Sequence, residues 1–408
     1  MGLLKRHTWL LIAAAALAPA ARAADWQLAL DLRAVSSDGR ESFLDNGLGK
    51  LRFDEDHQGV QLGRLRLAID QPIGEVFTAH AEASVWDGDD KNPIDLTEAY
   101  LEYRPYPRGG FKSRVRLGAF YPPMSLESRA SGWETPYTIT PSAIGTWIGE
   151  ELRTVGLEGR VDWLGTRLGH SFDLQMTAAL LGWNDPAGTQ IAAHGWAMHD
   201  RQTTLFGRAG AWQPDPALAK KELFAEIDDR PGYYVGAQAR YLDRAILEVL
   251  HYDNRADPRV FDASLRDFAW LTKFDAAGLR IETGNGWTAL VQALDGDTFI
   301  APGGFWLKWS YDSQSALLAK RQGPHMLALR YDRFAVEFQD DGSLPGSEDG
   351  NAWTVAYSWD RGGPWRFALE WLRVKSDVPA RAALLAEAPL ATETKIEFSA
   401  RYLLGGAF

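Results

Sequence analysis

Polar and apolar residues alternate one for one in segment after segment of this chain, and that period restricts each such segment to a strand with two unlike faces. Residues 77–85 set the pattern, with Phe77, Ala79, Ala81, Ala83 and Val85 on one face and Thr78, His80, Glu82 and Ser84 on the other. Ala99, Leu101 and Tyr103 oppose Glu98, Tyr100, Glu102 and Arg104, while Val115, Leu117 and Ala119 oppose Arg114 and Arg116. Phe172, Leu174, Met176, Ala178 and Leu180 alternate with Asp173, Gln175 and Thr177; Trp353, Val355, Tyr357 and Trp359 alternate with Thr354, Ser358 and Asp360. The apolar faces need a protein core or lipid against them, and the opposite faces carry regularly spaced charge that needs water. A soluble sandwich or propeller would also alternate. The regular charge of the polar faces and the lack of any blade-length repeat favour an all-β transmembrane antiparallel barrel instead.

Tracing the alternation gives about sixteen strands, an even number that returns the chain to the side it entered. They lie near 26–35, 60–70, 75–86, 94–104, 111–120, 152–163, 168–182, 232–242, 245–253, 266–275, 278–292, 303–319, 324–339, 351–360, 364–375 and 393–408. Short turns are expected at 70–74, 104–108, 163–165, 242–244, 276–278, 322–324 and 361–364, and longer external loops at the other junctions. Residues 398–408 place Phe398, Tyr402, Leu404 and Phe408 towards lipid and Ser399 and Arg401 towards the lumen.

At the other end, Lys5 and Arg6 precede an apolar run from Trp9 to Ala18, then Pro19 and the small residues Ala21 and Ala23. This reads as a secretory signal peptide over residues 1–23, leaving 24–408 as the mature barrel. The run is too short for a spanning helix, which needs about twenty apolar residues. The chain has no cysteine, so neither a lipid anchor on cysteine nor a disulfide framework is available to it. A formal charge of -11 over 408 residues argues against nucleic acid as a partner. The 17 Trp, 18 Phe and 13 Tyr suit aromatic girdles at two interfaces, and equally a carbohydrate-binding surface. Trp353, Trp359, Trp365 and Trp371 have lipid-facing parity, which favours the girdle, whereas Trp306 has lumen parity.

Three external connections are long: 36–59, 121–150 and 183–231. The segment 121–150 lacks alternation and carries Pro122, Pro123, Pro136 and Pro141 to fix bends, so it is the candidate to fold inward and constrict the lumen, with an external cap as the alternative. Candidate lining residues are Arg64, Arg66, Glu98, Glu102, Lys112, Arg114, Arg116, Glu158 and Arg160 on strands, and Glu127, Arg129, Trp133 and Trp147 on that loop. Charges on adjacent strands have opposite signs and either pair across the wall or leave a local surplus that selects ions. No metal or cofactor is expected. Asp54-Glu55-Asp56-His57 reads as a solvated loop or as a cation bridge to lipopolysaccharide phosphate, and His194 and His199 as packing or surface residues. His80-Ala81-Glu82 resembles a fragment of a zinc motif without its cysteines, on a face expected to meet lumen water. No phosphate loop, zinc-protease histidine pair or nucleophile elbow is present, so no enzyme activity is expected.

The leader, the alternating strands, the segment Arg116-Leu-Gly-Ala-Phe-Tyr-Pro-Pro-Met-Ser-Leu-Glu127, the run Gly149–Gly156 and the terminal Phe408 resemble outer-membrane porins of Gram-negative bacteria, nearest the phosphate-selective superfamily. The resemblance implies a sixteen-stranded barrel, a possible homotrimer among outer-membrane lipids and lipopolysaccharide, passing small hydrophilic solutes or ions. It also implies that Phe408 is recognised by the barrel-assembly machinery. Phosphate selectivity in that superfamily rests on a lysine-rich constriction, and residues 121–150 hold no lysine, so phosphate is not carried over. A weak anion preference is expected if the basic residues outnumber their partners locally. A sugar-selective channel, a barrel enzyme and a closed structural or adhesive barrel remain the alternatives.

Overall fold

The computed structural model describes residues 23–86, 94–128, 131–210, 220–339 and 346–407. The expected leader lies outside them apart from Ala23, as do Arg129 and Phe408. Sixteen strands form one closed antiparallel barrel. In chain order they are β1 (Asp25–Ser37), β2 (Gly59–Ile73), β3 (Phe77–Val85), β4 (Asp95–Tyr103), β5 (Phe111–Phe120), β6 (Thr154–Trp163), β7 (Phe172–Gly182) and β8 (Gly232–Tyr241). There follow β9 (Ala245–Asp253), β10 (Leu271–Glu282), β11 (Trp287–Ile300), β12 (Leu307–Gln322), β13 (His325–Gln339), β14 (Glu348–Asp360), β15 (Trp365–Asp377) and β16 (Leu390–Ala407). Each strand pairs with its neighbours in sequence, and β16 closes on β1 from Asp25 opposite Ala407 to Ser37 opposite Lys395. No edge is left unpaired, which is what lets a sheet sit in an apolar solvent.

Alternation in the sequence becomes alternation between two environments. Along β13, Leu327, Leu329 and Tyr331 are exposed on the outside, while Ala328, Arg330, Asp332 and Phe334 are buried inside. None of the described helices is long and apolar enough to cross a membrane, so the apolar belt belongs to the strands. Aromatic pairs ring the end that carries the short turns, among them Phe77–Tyr103, Trp163–Phe172 and Trp365–Tyr402, with centroids 5.0, 5.5 and 4.7 Å apart. Amphipathic rings at that height suit the headgroup boundary. Trp306 departs from its expected lumen position: it precedes β12, lies exposed and packs on Phe299.

One turn falls elsewhere than the sequence suggests. Ala276-Ala277-Gly278 reads as a break, yet β10 runs straight through it to Glu282, and the chain reverses over 283–286, where Gly286 has φ of 85°. Gly278 is small for another reason: a Cβ there would lie 2.9 Å from Cδ1 of Leu126, which reaches the wall from the far side of the barrel.

The barrel interior is occupied. The connection 121–153 carries α1 (Ala143–Glu151), all of whose residues are buried, and the connection 183–231 carries α2 (Thr189–His194). Trp147 of α1 packs edge-on against Phe274 and Tyr311, each 5.2 Å away, and Trp196, fully buried, donates its indole N–H to the carbonyl of Ala335 at 3.0 Å. These contacts fall on the inner walls of β10, β12 and β13, towards the ends that bear the long loops.

Candidate functional site

The connection between β5 and β6 is a strap across the whole lumen. At its start, Leu126 meets Gly278, and Gln292 of β11 accepts the Leu126 N–H at 2.7 Å. At its middle, Ser131 donates to Glu82 of β3 at 3.1 Å, on the opposite wall. Further on, Glu370 of β15 accepts the N–H groups of Ile139 and Thr140 at 2.7 and 3.0 Å. Arg330 of β13 donates to the carbonyls of Thr140 and Pro141 and pairs with Glu127 at 3.1 Å. Ser142 then caps α1 by accepting the N–H of Gly145. Backbone donors left over by an irregular loop are thus taken up by carboxylates and amides of the wall, the condition for burying a loop inside a protein.

Opposite the apolar filling, the wall formed by β16, β1 and β2 is crowded with charge. Arg33 pairs with Asp31 at 2.9 Å, with Glu397 at 2.6 Å and with Asp200, which also receives Arg52. Arg64 pairs with Glu134 and donates to the carbonyl of Gly132 at 2.8 Å; Arg401 pairs with Glu134 at 2.5 Å and with Asp31 at 3.2 Å. The register makes room for this. An extra residue in β2, Gly63, bulges at the Asp31/Leu32 step, and a Cβ there would lie 2.3 Å from Nε of Arg33. Between strap and wall lies a cavity of about 20 Å³, lined by Arg64, Glu134, Thr138, Asp200, Gln202 and Arg401 among others, room for roughly one water. Burial favours the neutral form of Glu134, but Arg401, Arg64 and Arg66 override it and hold the carboxyl below its usual range. Asp200 is likewise held far down by Arg33 and Arg52 against the cost of burial. The opposite charges that line the cavity are thus joined in direct ion pairs, Glu134 with Arg64 and Arg401 and Asp200 with Arg33 and Arg52.

No protein-family model matches the sequence, and no curated protein does either. Solved structures match over nearly the whole chain. The outer membrane channel DcaP of Acinetobacter baumannii aligns with a TM-score of 0.54 at 11% identity, over 93% of this chain and 96% of that one. OmpT of Vibrio cholerae, an outer membrane protein, aligns in a form lacking loop L8 with a TM-score of 0.52 at 10% identity, over 94% of this chain and 100% of that one. Its in-vitro folded trimer form gives 0.50 at 11% identity, with the same coverage of 94% and 100%. The fold is that of outer-membrane barrels.

Within this barrel most of the expected lining residues on strands fall into two groups. Arg114 and Arg116 of β5 both donate to Glu158 of β6, at 2.9 and 2.8 Å, and Tyr234 adds its hydroxyl at 2.5 Å. Glu102 lies 3.7 Å from Arg114 and also holds Arg104; Arg160 pairs with Asp162 at 2.8 Å, and Lys112 stands opposite Asp162 in register. Arg64 and Arg66 form the second group, Arg66 reaching Glu82 at 3.0 Å, Ser131 at 2.6 Å and Gln27 at 2.5 Å. Glu98 accepts the N–H of Tyr121 at 3.0 Å. Glu127 binds Arg330 and the N–H of Ser142, inside the strap rather than on its surface. Trp133 and Trp147 are also interior: Trp133 stacks on Tyr121 at 4.6 Å and donates to the carbonyl of Gly145, and Trp147 sits in the apolar filling. Of the two, only Trp133 borders the cavity.

Arg33, Arg52, Glu134, Asp200, Arg330, Glu370 and Arg401 are among the residues that sequence reasoning left out of the site. Arg33 and Arg401 had lumen parity and could have been included; Asp200 lies in a long loop and carried no local signal. His194 and His199 flank the ring of Phe43, 4.9 and 4.6 Å away, and both are buried. His199 meets Glu150 at 3.1 Å, while burial pushes His194 down to about 4 and Glu151 up to about 8. In the external loops, Asp54 is buried and accepts the N–H groups of Ser42, Asp56 and His57, so it organises its own loop, with Asp45 and His57 exposed beside it. Asp185, Glu226 and Asp228 form a second acidic group, in which burial lifts Asp185 to about 7.

Proposed function

We propose that this chain is an outer-membrane porin through which small hydrophilic solutes or ions diffuse passively. The observation that carries the reading is a closed sixteen-stranded barrel whose strap leaves a narrow, water-sized gap against a wall of fixed charges. Arg64, Arg401, Glu134 and Asp200 border the constriction, and Arg114, Arg116, Glu158, Glu102 and Arg160 line the approach from the short-turn side. Because nearly every basic group there has an acidic partner, selectivity is weak, and the expected preference for anions is at most slight. No catalytic role is assigned. Residues 1–23 act as the export signal, and the mature barrel, nearest the phosphate-selective porins by its 116–127 segment, sits in outer-membrane lipid and lipopolysaccharide as a homotrimer after assembly guided by Phe408.

A second reading has an observation of its own. Trp147, Trp196, Phe274, Tyr311 and Phe334 fill the lumen on the long-loop side as a protein core would, which favours a barrel that stays shut unless its loops move. Planar-bilayer recording of the purified, folded protein separates the two. Small stepwise currents at rest support the channel; a folded protein that never conducts sinks it and leaves the closed barrel. Reversal potentials in a salt gradient then give the sign of selectivity.

A further inference from the structure

We propose that His80, Glu82 and Glu98 bind one divalent transition-metal ion, of which zinc suits the ligands best, inside the barrel wall beneath the strap. One ring nitrogen of His80 and one carboxylate oxygen from each glutamate lie within 4.8 Å of one another. One imidazole and two carboxylates are a ligand set that zinc accepts, with a fourth position left for water.

The surroundings are built for ligation. Asp70 on β2 stands 2.8 Å from Nδ1 of His80. A carboxylate can only accept, so that bond places a proton on Nδ1, and in the neutral ring the lone pair is on Nε2, the arrangement in which a second-sphere carboxylate orients a metal-binding histidine. Nε2 is buried and has no hydrogen-bond partner, in a side chain only 8% exposed. Stacking on Tyr100, with centroids 4.7 Å apart, fixes the ring plane. Both glutamates are held as well. Glu82 accepts from Thr97 Oγ1 at 2.8 Å, from Arg66 at 3.0 Å and from Ser131 at 3.1 Å, and Glu98 accepts from the Tyr121 N–H at 3.0 Å. Thr97 reaches Glu82 because it is the extra residue of a β-bulge, where the register steps from Glu82 opposite Glu98 to Ala83 opposite Leu96.

Charge supplies the reason for a cation. Glu82 and Glu98 stand directly opposite each other in the ladder, an arrangement that is destabilising between like charges. Arg66 pairs with Glu82, but the other guanidiniums nearby are engaged elsewhere: Arg116 with Glu158, and Arg153 with the carbonyls of Thr97, Gly149, Leu152 and Thr203 and the hydroxyl of Tyr121. A metal ion between His80 and the two glutamates would relieve the repulsion. It would also pin both ends of the strap's first half, through Tyr121 and Ser131.

The test is a titration of the untagged, folded, full-length protein, stripped with chelator, with zinc chloride in a calorimeter. The expected result is one zinc per chain, with affinity reduced about ten- to a hundredfold by Asp70→Asn and further by His80→Ala. Glu98→Gln, close to isosteric, repeats the loss if an alanine variant fails to fold, and His57→Ala leaves binding unchanged. Cobalt bound to the wild type should give the intense visible bands of a four-coordinate site with nitrogen and oxygen ligands. Absence of zinc binding at micromolar concentration, or binding that survives His80→Ala and Glu98→Gln together, overturns the proposal and makes His80 a protonated partner of Asp70.

Discussion

Replacing Arg330 with methionine tests whether the strap is what narrows the barrel. Arg330 is 1% exposed and donates to Asp332 at 2.7 Å, Glu127 at 3.1 Å, Thr138 at 3.0 Å, the carbonyls of Thr140 and Pro141 at 2.7 and 2.8 Å, and Thr354 at 3.2 Å. Methionine fills much of the volume and restores none of these bonds. Glu127 and Asp332 are then left as buried carboxylates without their cation, a situation that costs about 3–5 kcal/mol. The barrel ladder is untouched, so the cost falls on the docked state of the strap, where release lets both carboxylates hydrate. At about 1.4 kcal/mol per decade, the ratio of docked to released strap falls by about a hundred- to a few-thousandfold. The bonds from Glu370 to Ile139 and Thr140 and from Gln292 to Leu126 oppose complete release. Single-channel recording should therefore show a larger and noisier unit current than wild type, with the folded form's electrophoretic mobility preserved. A folded variant with wild-type conductance and noise would refute the reasoning, because the strap would then either not be anchored by Arg330 or not narrow the path.

Neutralising Arg114 and Arg116 together with glutamine leaves Glu158 and Glu102 short of counter-charge, and the reversal potential should move towards cations; no movement would make the two arginines wall residues only. Gly278→Val puts a Cβ 2.9 Å from Leu126, and overpacking of this kind costs about 1–3 kcal/mol, so residues 121–141 should become cleavable by protease in a barrel that remains folded. Glu151 has its carboxyl raised from 4.5 to about 8 by burial, against hydrogen bonds from Gln190 and Trp147. A raised carboxyl contributes stability that is fully present below about pH 4.5 and is lost as pH rises through about 8, a change on the order of a few kcal/mol. Urea midpoints of Glu151→Gln should therefore fall less between pH 5 and pH 9 than those of wild type, and parallel curves would count against the assignment.

The strands were legible because each residue of a barrel wall faces one of two solvents, and period two records which. The strap was legible only as a lapse of that period bounded by prolines, and nothing in 183–231 distinguished the inserted Trp196–Thr204 stretch from an external loop, since an inserted loop draws its partners from remote strands. Ala276–Gly278 misled for the same reason: its small residues make space for Leu126, far away in sequence, and a local reading takes them for a turn. Yet the wall itself carries a trace of the filling. On the lumen parity of β10, β12, β13 and β15 stand Phe274, Trp309, Tyr311, Phe334, Val336, Leu372 and Val374, all buried and all towards the long-loop side. Water-filled space would not leave seven apolar groups on its boundary uncovered, so apolar residues on the water-facing parity mark where a loop must dock. The lumen face of β16 and β1 to β6 keeps its charges over the same height, with Lys395, Glu397, Arg33, Arg64, Glu82, Glu98 and Glu158 among them. The apolar part of the filling therefore docks on one side of the barrel, while the other side is met through ion pairs from Glu134 and Asp200, and the cavity beside Arg64 and Glu134 lies there.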